Sequence, residues 1–176
     1  MLYGIQSFKY YTRPILIKGP LYSGKSEIAK YIYTSNKKQN GPLIIINCKR
    51  FQAKEWDQFL NKDSSPLYNS EATLFFQNVT QLTTDCQEQL LYYLDNSNAW
   101  KRNQIIFSTD NMEKEENTTY FEEELLRDFR PLVLLIPSLR ERKEDIPNLA
   151  TLYLNDFITE LAKPVVSFTP EAIHVL

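Results

Sequence analysis

The chain has a single histidine, His174, and two cysteines, Cys48 and Cys86, among 176 residues. Two thiols far apart in sequence cannot supply the paired-cysteine spacing of a structural zinc site. They read instead as buried or half-buried thiols of a reducing compartment. His174 sits near the end of the sequence, so no histidine-based acid–base machinery is expected. No apolar run is long enough to span a bilayer, and the N-terminus has no signal-peptide core, which predicts a cytoplasmic protein without membrane contact. Neither sign of charge is in excess: 20 Lys and Arg stand against 22 Asp and Glu, a net charge of −2. This segment therefore carries no electrostatic footprint of a nucleic-acid binder. Internal repeats and low-complexity stretches are absent too. Asn78-Val79-Thr80 and Asn117-Thr118-Thr119 match the glycosylation sequon, and without a secretory signal both read as chance.

What is present is an alternation of short apolar runs with longer amphipathic ones, the βαβ pattern of an α/β domain. Five runs read as strands: Ile15–Lys18, Leu43–Asn47, Thr73–Gln77, Gln104–Ser108 and Leu132–Ile136. Most are continuously apolar, as expected for a parallel sheet covered on both faces. Helices are expected over Ser26–Thr34, Lys54–Asn61, Thr84–Leu94 (capped by Thr83 or Thr84), a broken stretch Glu113–Leu126, and Ile146–Leu161. Pro164 closes the last of these. Thr169 and Pro170 then open another helix as N-cap and first helical residue. That helix has barely begun at Leu176, so the sequence reads as a fragment cut inside a helical subdomain. The expected division is a nucleotide-binding core over residues 1–163 and the beginning of a helical lid over residues 164–176.

The segment Gly19-Pro20-Leu21-Tyr22-Ser23-Gly24-Lys25-Ser26 matches G-x-x-x-x-G-K-[ST] in full. Glycines let such a loop wrap closely, so that its backbone N–H groups point at phosphate oxygens. The helix that follows directs its positive dipole end to the same place. Gly19, Pro20, Tyr22, Ser23, Gly24, Lys25, Ser26 and Glu27 are the expected nucleotide-binding residues. Lys25 is placed to reach the β- and γ-phosphates, and Ser26 to coordinate Mg²⁺. The strand Ile15-Leu16-Ile17 before the loop, and Ile28, Ala29 and Ile32 after it, supply the strand–loop–helix context the motif requires. An ATPase of this kind also needs an apolar strand ending in acid, with Asp for the metal and Glu for the attacking water. Thr73-Leu74-Phe75-Phe76 stands in that place but ends in Gln77-Asn78, neither of which carries charge or accepts a proton as a general base.

In order along the chain, the segments resemble the AAA+ domain of sigma-54-dependent transcription activators. Gly19–Ser26 is similar to the family's Walker A motif, and Leu43–Cys48 to its second strand ending in Asn-Cys. Ala72–Phe76 resembles the strand leading to Walker B. Gln87-Glu88-Gln89-Leu90-Leu91-Tyr92-Tyr93-Leu94 resembles the Gln-x-x-Leu-Leu-x-x-Leu helix, and Ile105–Asp110 the sensor I strand. The most specific likeness is Ile136-Pro137-Ser138-Leu139-Arg140-Glu141-Arg142, followed by Glu144-Asp145-Ile146-Pro147. Phe168–Ile173 resembles the start of the lid. The resemblance implies a three-layer P-loop NTPase sandwich with a five-stranded parallel sheet. It also implies ATP or ADP with Mg²⁺ as ligands, a homo-oligomer (dimer or ring), and a role in bacterial transcription regulation of the two-component response-regulator kind. DNA contact and sensory input belong, in the family, to separate domains.

The chain departs from the family at several places. Gln77 and Asn78 replace the Walker B acids, and Asp110 replaces the sensor I Asn. The Gly-Ala-Phe-Thr-Gly-Ala loop that engages sigma-54 is missing, so sigma-54 contact is not expected. Aligned on Phe121 and Leu125, Glu122 and Asp128 fall where the family presents two arginines to a neighbouring subunit. Arg127 and Arg130 lie close enough to substitute. The leading expectation is an ATP-binding domain with weak or no hydrolysis and no catalytic residue, acting as a regulatory or assembly module. An active ATPase with a relocated acid (Asp85, Glu71 or Asp110) and a nucleotide-independent interaction module stay open. Arg140 or Arg142 is expected to form a structural ion pair.

Overall fold

The computed structural model describes residues 13–36, 41–51, 53–61, 65–68, 71–110, 120–161, 167–169 and 172. The strands are β1 (Ile15–Lys18), β2 (Leu43–Asn47), β3 (Thr73–Gln77), β4 (Gln104–Thr109) and β5 (Leu132–Leu135). The helices are α1 (Lys25–Ser35), α2 (Ala53–Asn61), α3 (Thr84–Asn96), α4 (Ala99–Arg102), α5 (Tyr120–Phe129) and α6 (Ile146–Leu161). The strands form one sheet in the order β2-β3-β4-β1-β5, and every pairing is parallel. Parallel neighbours need crossover connections, which is why a helix or helical turn follows each of the first four strands.

Strand parity sends alternate residues to two separate cores. Ile15 and Ile17 of β1, Phe75 of β3 and Ile106 of β4 pack with Ala29 and Ile32 of α1. Leu16, Leu74, Phe76, Ile105 and Phe107 face the opposite way, against Trp56 and Leu60 of α2, Leu90 and Leu94 of α3, and Phe121 and Leu125 of α5. The result is a three-layer α/β sandwich, with one core on each side of the sheet. The second core is strongly aromatic: Phe107 stacks on Phe76 at 5.4 Å between ring centroids and meets the edge of Phe121 at 5.3 Å.

The inner strands β1, β3 and β4 are buried on both faces, as their apolar runs require. The two outer strands are not. Ile45 on β2, and Val133 and Leu135 on β5, are exposed, because an edge strand has a neighbour on one side and incomplete cover on its faces. An apolar run therefore signalled strand correctly at both edges but overstated burial there.

Helix ends follow local chemistry. The Thr83 hydroxyl caps α3 by accepting from the Cys86 N–H at 3.4 Å, and α3 runs two residues beyond the expected Leu94, to Asn96. The expected helix Glu113–Leu126 is observed as Tyr120–Phe129, and its first half lies outside the described residues. Cys48 and Cys86 are buried free thiols, and burial pushes the Cys48 thiol up to about 12.

By packing, the chain forms two compact units, Met1–Ile136 and Pro137–Leu176. In the second unit the Glu141 carboxylate accepts from both the backbone N–H and the hydroxyl of Ser138, at 2.7 Å each. Those bonds hold Glu141 below the usual carboxylate range. Arg142 pairs with Asp145 at 3.5 Å, the structural ion pair expected of this segment. Thr169 accepts from the Ala172 N–H at 3.2 Å, the contact its N-cap assignment requires. Pro164, Pro170 and the 163/164 division lie outside the described residues.

Candidate phosphate-binding site

The site is built where β1 gives way to α1. Gly24 precedes the first helical residue with φ 87°, a left-handed conformation that suits glycine. Gly19 admits no side chain. A Cβ there would lie 2.6 Å from the Ser23 hydroxyl and 3.0 Å from the Ile136 Cβ. Tyr22 also has positive φ, at 61°, and its ring is almost fully exposed at the loop tip. Glu27 points to solvent in the first turn of α1. The loop thus keeps the tight, inward-turned backbone that makes an anion cradle at a helix N-terminus.

Lys25 is 92% buried, a class of residue rarely buried without partners. Its ammonium donates to the Gly19 and Pro20 carbonyls at 2.7 Å each and lies 2.8 Å from Asp110 Oδ1. Asp110 is carried to it by the sheet. Thr109 of β4 stands opposite Lys18 of β1, so the next residue of each strand, Asp110 and Gly19, leaves the sheet at the same level. A second cation, Lys49 from the turn after β2, stands 3.6 Å from the other oxygen of Asp110.

Gln77 ends β3 beside this centre, and its carboxamide N–H donates to the Ser26 hydroxyl at 3.0 Å. Asn78 takes a left-handed turn, φ 55°, and its backbone N–H donates to the Ser108 hydroxyl at 3.1 Å. The phosphate-binding parts therefore fit an oligophosphate: a cradle, a lysine and a helix N-terminus converge. The metal-binding parts do not match. Near Ser26 the donors are a hydroxyl and a neutral carboxamide, and no group of three or more His, Cys, Asp or Glu among the described residues could hold a metal ion. A divalent cation prefers charged oxygen ligands, which this pair does not supply.

The other acids lie elsewhere. Glu71 precedes β3, at the end of the sheet opposite the loop, and its N–H donates to the Arg102 carbonyl at 3.0 Å. Asp85 is a first-turn acid of α3, where it complements the helix dipole.

The structure also accounts for Glu122, which sequence reasoning placed at a subunit-facing position. It is fully buried and pairs with Lys18 at 2.8 Å. Strand parity explains this: Lys18 follows Leu16 to the α5 side of the sheet. A buried acid here locks α5 to the strand that leads into the loop. Its signal in the sequence was a lone lysine ending an apolar strand. Arg127 is exposed and tied to Glu124 and Asp128 on its own helix. The hydrogen bond to Asp128 raises its pKa further, and the same bond lowers that of Asp128.

Fold and site together define a P-loop NTPase (AAA+) architecture. Solved structures agree at the level of fold. NtrX from Brucella abortus, crystallised in complex with ATP, aligns over 99% of this chain and 44% of its own, with TM-score 0.82 and 22% identity. The P-loop NTPase domain of a sigma-54 transport activator from Escherichia coli aligns over 78% of this chain and 92% of its own, with TM-score 0.55 and 15% identity.

The chain belongs to the family described as the Sigma-54 interaction domain, whose match covers residues 2–139. Among curated relatives it is similar to the transcriptional regulatory protein ZraR of Escherichia coli, 26% identical over 186 aligned positions. That alignment covers 92% of this chain and 42% of ZraR, so the chain spans about two-fifths of such a relative. No helix among the described residues is long and apolar enough to cross a membrane.

Proposed function

We propose that this chain binds ATP or ADP at Gly19–Glu27 and hydrolyses ATP weakly or not at all. It then serves a sigma-54-activator-like transcription regulator as a nucleotide-dependent regulatory or assembly module. The observation that carries this reading is the contact between the Gln77 carboxamide and the Ser26 hydroxyl beside an otherwise intact loop. A neutral amide stands where hydrolysis needs a carboxylate for the metal, and Asn78 cannot orient water as a base. Removing such groups costs several kcal/mol of transition-state stabilisation. Binding draws on other parts, namely the loop amides and Lys25. The crystallisation of the related NtrX with ATP and with ADP supports the ligand class.

Any Mg²⁺ would be held mainly by the nucleotide's own phosphates, with Ser26 as a weak protein ligand. Self-association through this domain, into a dimer or ring, is part of the proposal. With Glu122 buried and Arg127 committed to its own helix, it would proceed without arginines at the family's two positions. DNA contact is assigned to a domain outside residues 1–176, and the core-and-lid division at residues 163/164 is likewise proposed. Between β2 and β3 the described residues hold α2 and two 3-10 turns, Cys48–Arg50 and Pro66–Tyr68. We assign no sigma-54 contact to that interval.

The test is a titration with a fluorescent ADP or ATP analogue. The expected result is saturable binding, displaced by unlabelled nucleotide. Fluorescence that rises linearly and resists displacement would show the loop to be a relic, and would favour the interaction-module reading.

A further inference from the structure

We infer that Asp110 makes this a diphosphate-selective site, by occupying on Lys25 the place that a triphosphate's terminal group would take. The inference rests on the nucleotide-binding reading above and concerns which nucleotide is held.

An ammonium has three donors. Around Lys25 Nζ stand three oxygens: the Gly19 carbonyl at 2.7 Å, the Pro20 carbonyl at 2.7 Å and Asp110 Oδ1 at 2.8 Å. They are not equivalent. The two carbonyls belong to the loop, and their bonds are the ones a phosphate in the cradle exchanges for its own. Asp110 is an anion on a different strand, fixed at the level of the loop by the Lys18–Thr109 register.

In an occupied P-loop the lysine bridges the β- and γ-phosphates. A carboxylate oxygen on Lys25 therefore stands in for a γ-phosphate oxygen. A diphosphate can take up the two donors released by the carbonyls and leave the Lys25–Asp110 pair intact. A triphosphate must break that pair, and its terminal group then lies beside a displaced carboxylate of like charge in a partly buried site. The Asp110 side chain is 23% exposed and that of Lys25 9%, so water screens the repulsion incompletely. Lys49, 3.6 Å from Asp110 Oδ2, holds the carboxylate toward the loop.

Affinities for ADP and ATP, measured by calorimetry on the same protein in EDTA and again with Mg²⁺, test this. The expected wild-type preference for ADP is about tenfold or more, corresponding to ~1.4 kcal/mol. Asp110→Asn keeps the shape and removes the charge. It should raise ATP affinity enough to bring the ratio to near one, while Asp110→Glu retains the preference. Thermal midpoints of the nucleotide-free variants establish that they are folded.

ATP bound as tightly as ADP by the wild type overturns the inference, and so does a ratio unchanged in Asp110→Asn. Mg²⁺ that restores ATP affinity in the wild type but not in Asp110→Asn also overturns it, making Asp110 a metal ligand instead. If the wild type binds neither nucleotide, the underlying nucleotide-binding reading fails and this inference falls with it.

Discussion

Replacing Lys25 with alanine lowers affinity for ADP and ATP by about a hundredfold, ~2.8 kcal/mol. Two contributions lead to that size. The ammonium is the charged donor most deeply set in the loop, and each hydrogen bond from a charged group contributes about 1.5–3 kcal/mol. Its removal also leaves Asp110 facing the cradle with Lys49 as its neighbouring cation, at 3.6 Å, so the phosphates meet an anion where they met a cation. Lys25→Arg keeps the charge in a bulkier, planar form that the space between Gly19, Pro20 and Asp110 does not suit, and it should recover little. Competition titration against a fluorescent nucleotide reads both effects. An alanine variant within threefold of wild type would remove Lys25 from the site.

The second large effect is on stability. Phe107 is fully buried on the central strand β4, stacked on Phe76 and edge-on to Phe121. Phe107→Ala removes the ring that joins the sheet to α5 and leaves a cavity between two further rings. Such truncations cost about 3–5 kcal/mol, a large part of the 5–15 kcal/mol that holds a typical domain folded. Urea denaturation followed by Trp56 and Trp100 fluorescence should show a midpoint lowered accordingly. Tyr92→Ala on the solvent-facing side of α3, where the residue is 73% accessible, should stay within about 0.5 kcal/mol of wild type. Equal losses in the two variants would mean that the Phe76–Phe107–Phe121 cluster does not organise this core.

Sequence and structure agree where chemistry is local. Strand–loop–helix context located the turn from β1 into α1, and apolar runs located all five strands within a residue of their observed ends. Departures from a family pattern were legible too. Gln77 stands at the Ser26 hydroxyl, and Asp110 reaches the loop from β4.

What the sequence did not show depends on contacts distant in the chain. Lys18 and Glu122 are 104 residues apart, and no spacing rule links them. Their pairing follows from the parity of β1 and the placement of α5, both tertiary facts. The grip of Asp110 on Lys25 likewise depends on β4 lying next to β1, an adjacency that the order of strands in the sequence does not reveal. Edge positions were hidden for the same reason: Leu132–Leu135 reads as an inner strand until the sheet order places it outside.

In the proposed function, a retained phosphate cradle is separated from hydrolysis at Gln77 and Asn78. Phosphate release at saturating ATP and Mg²⁺, compared between the wild type and Lys25→Ala, tests it most directly. Release from both is expected to stay far below the ordinary enzymatic range, although the wild type is loaded with nucleotide. Lys25-dependent release in the ordinary enzymatic range, about 1 s⁻¹ or faster, would contradict it.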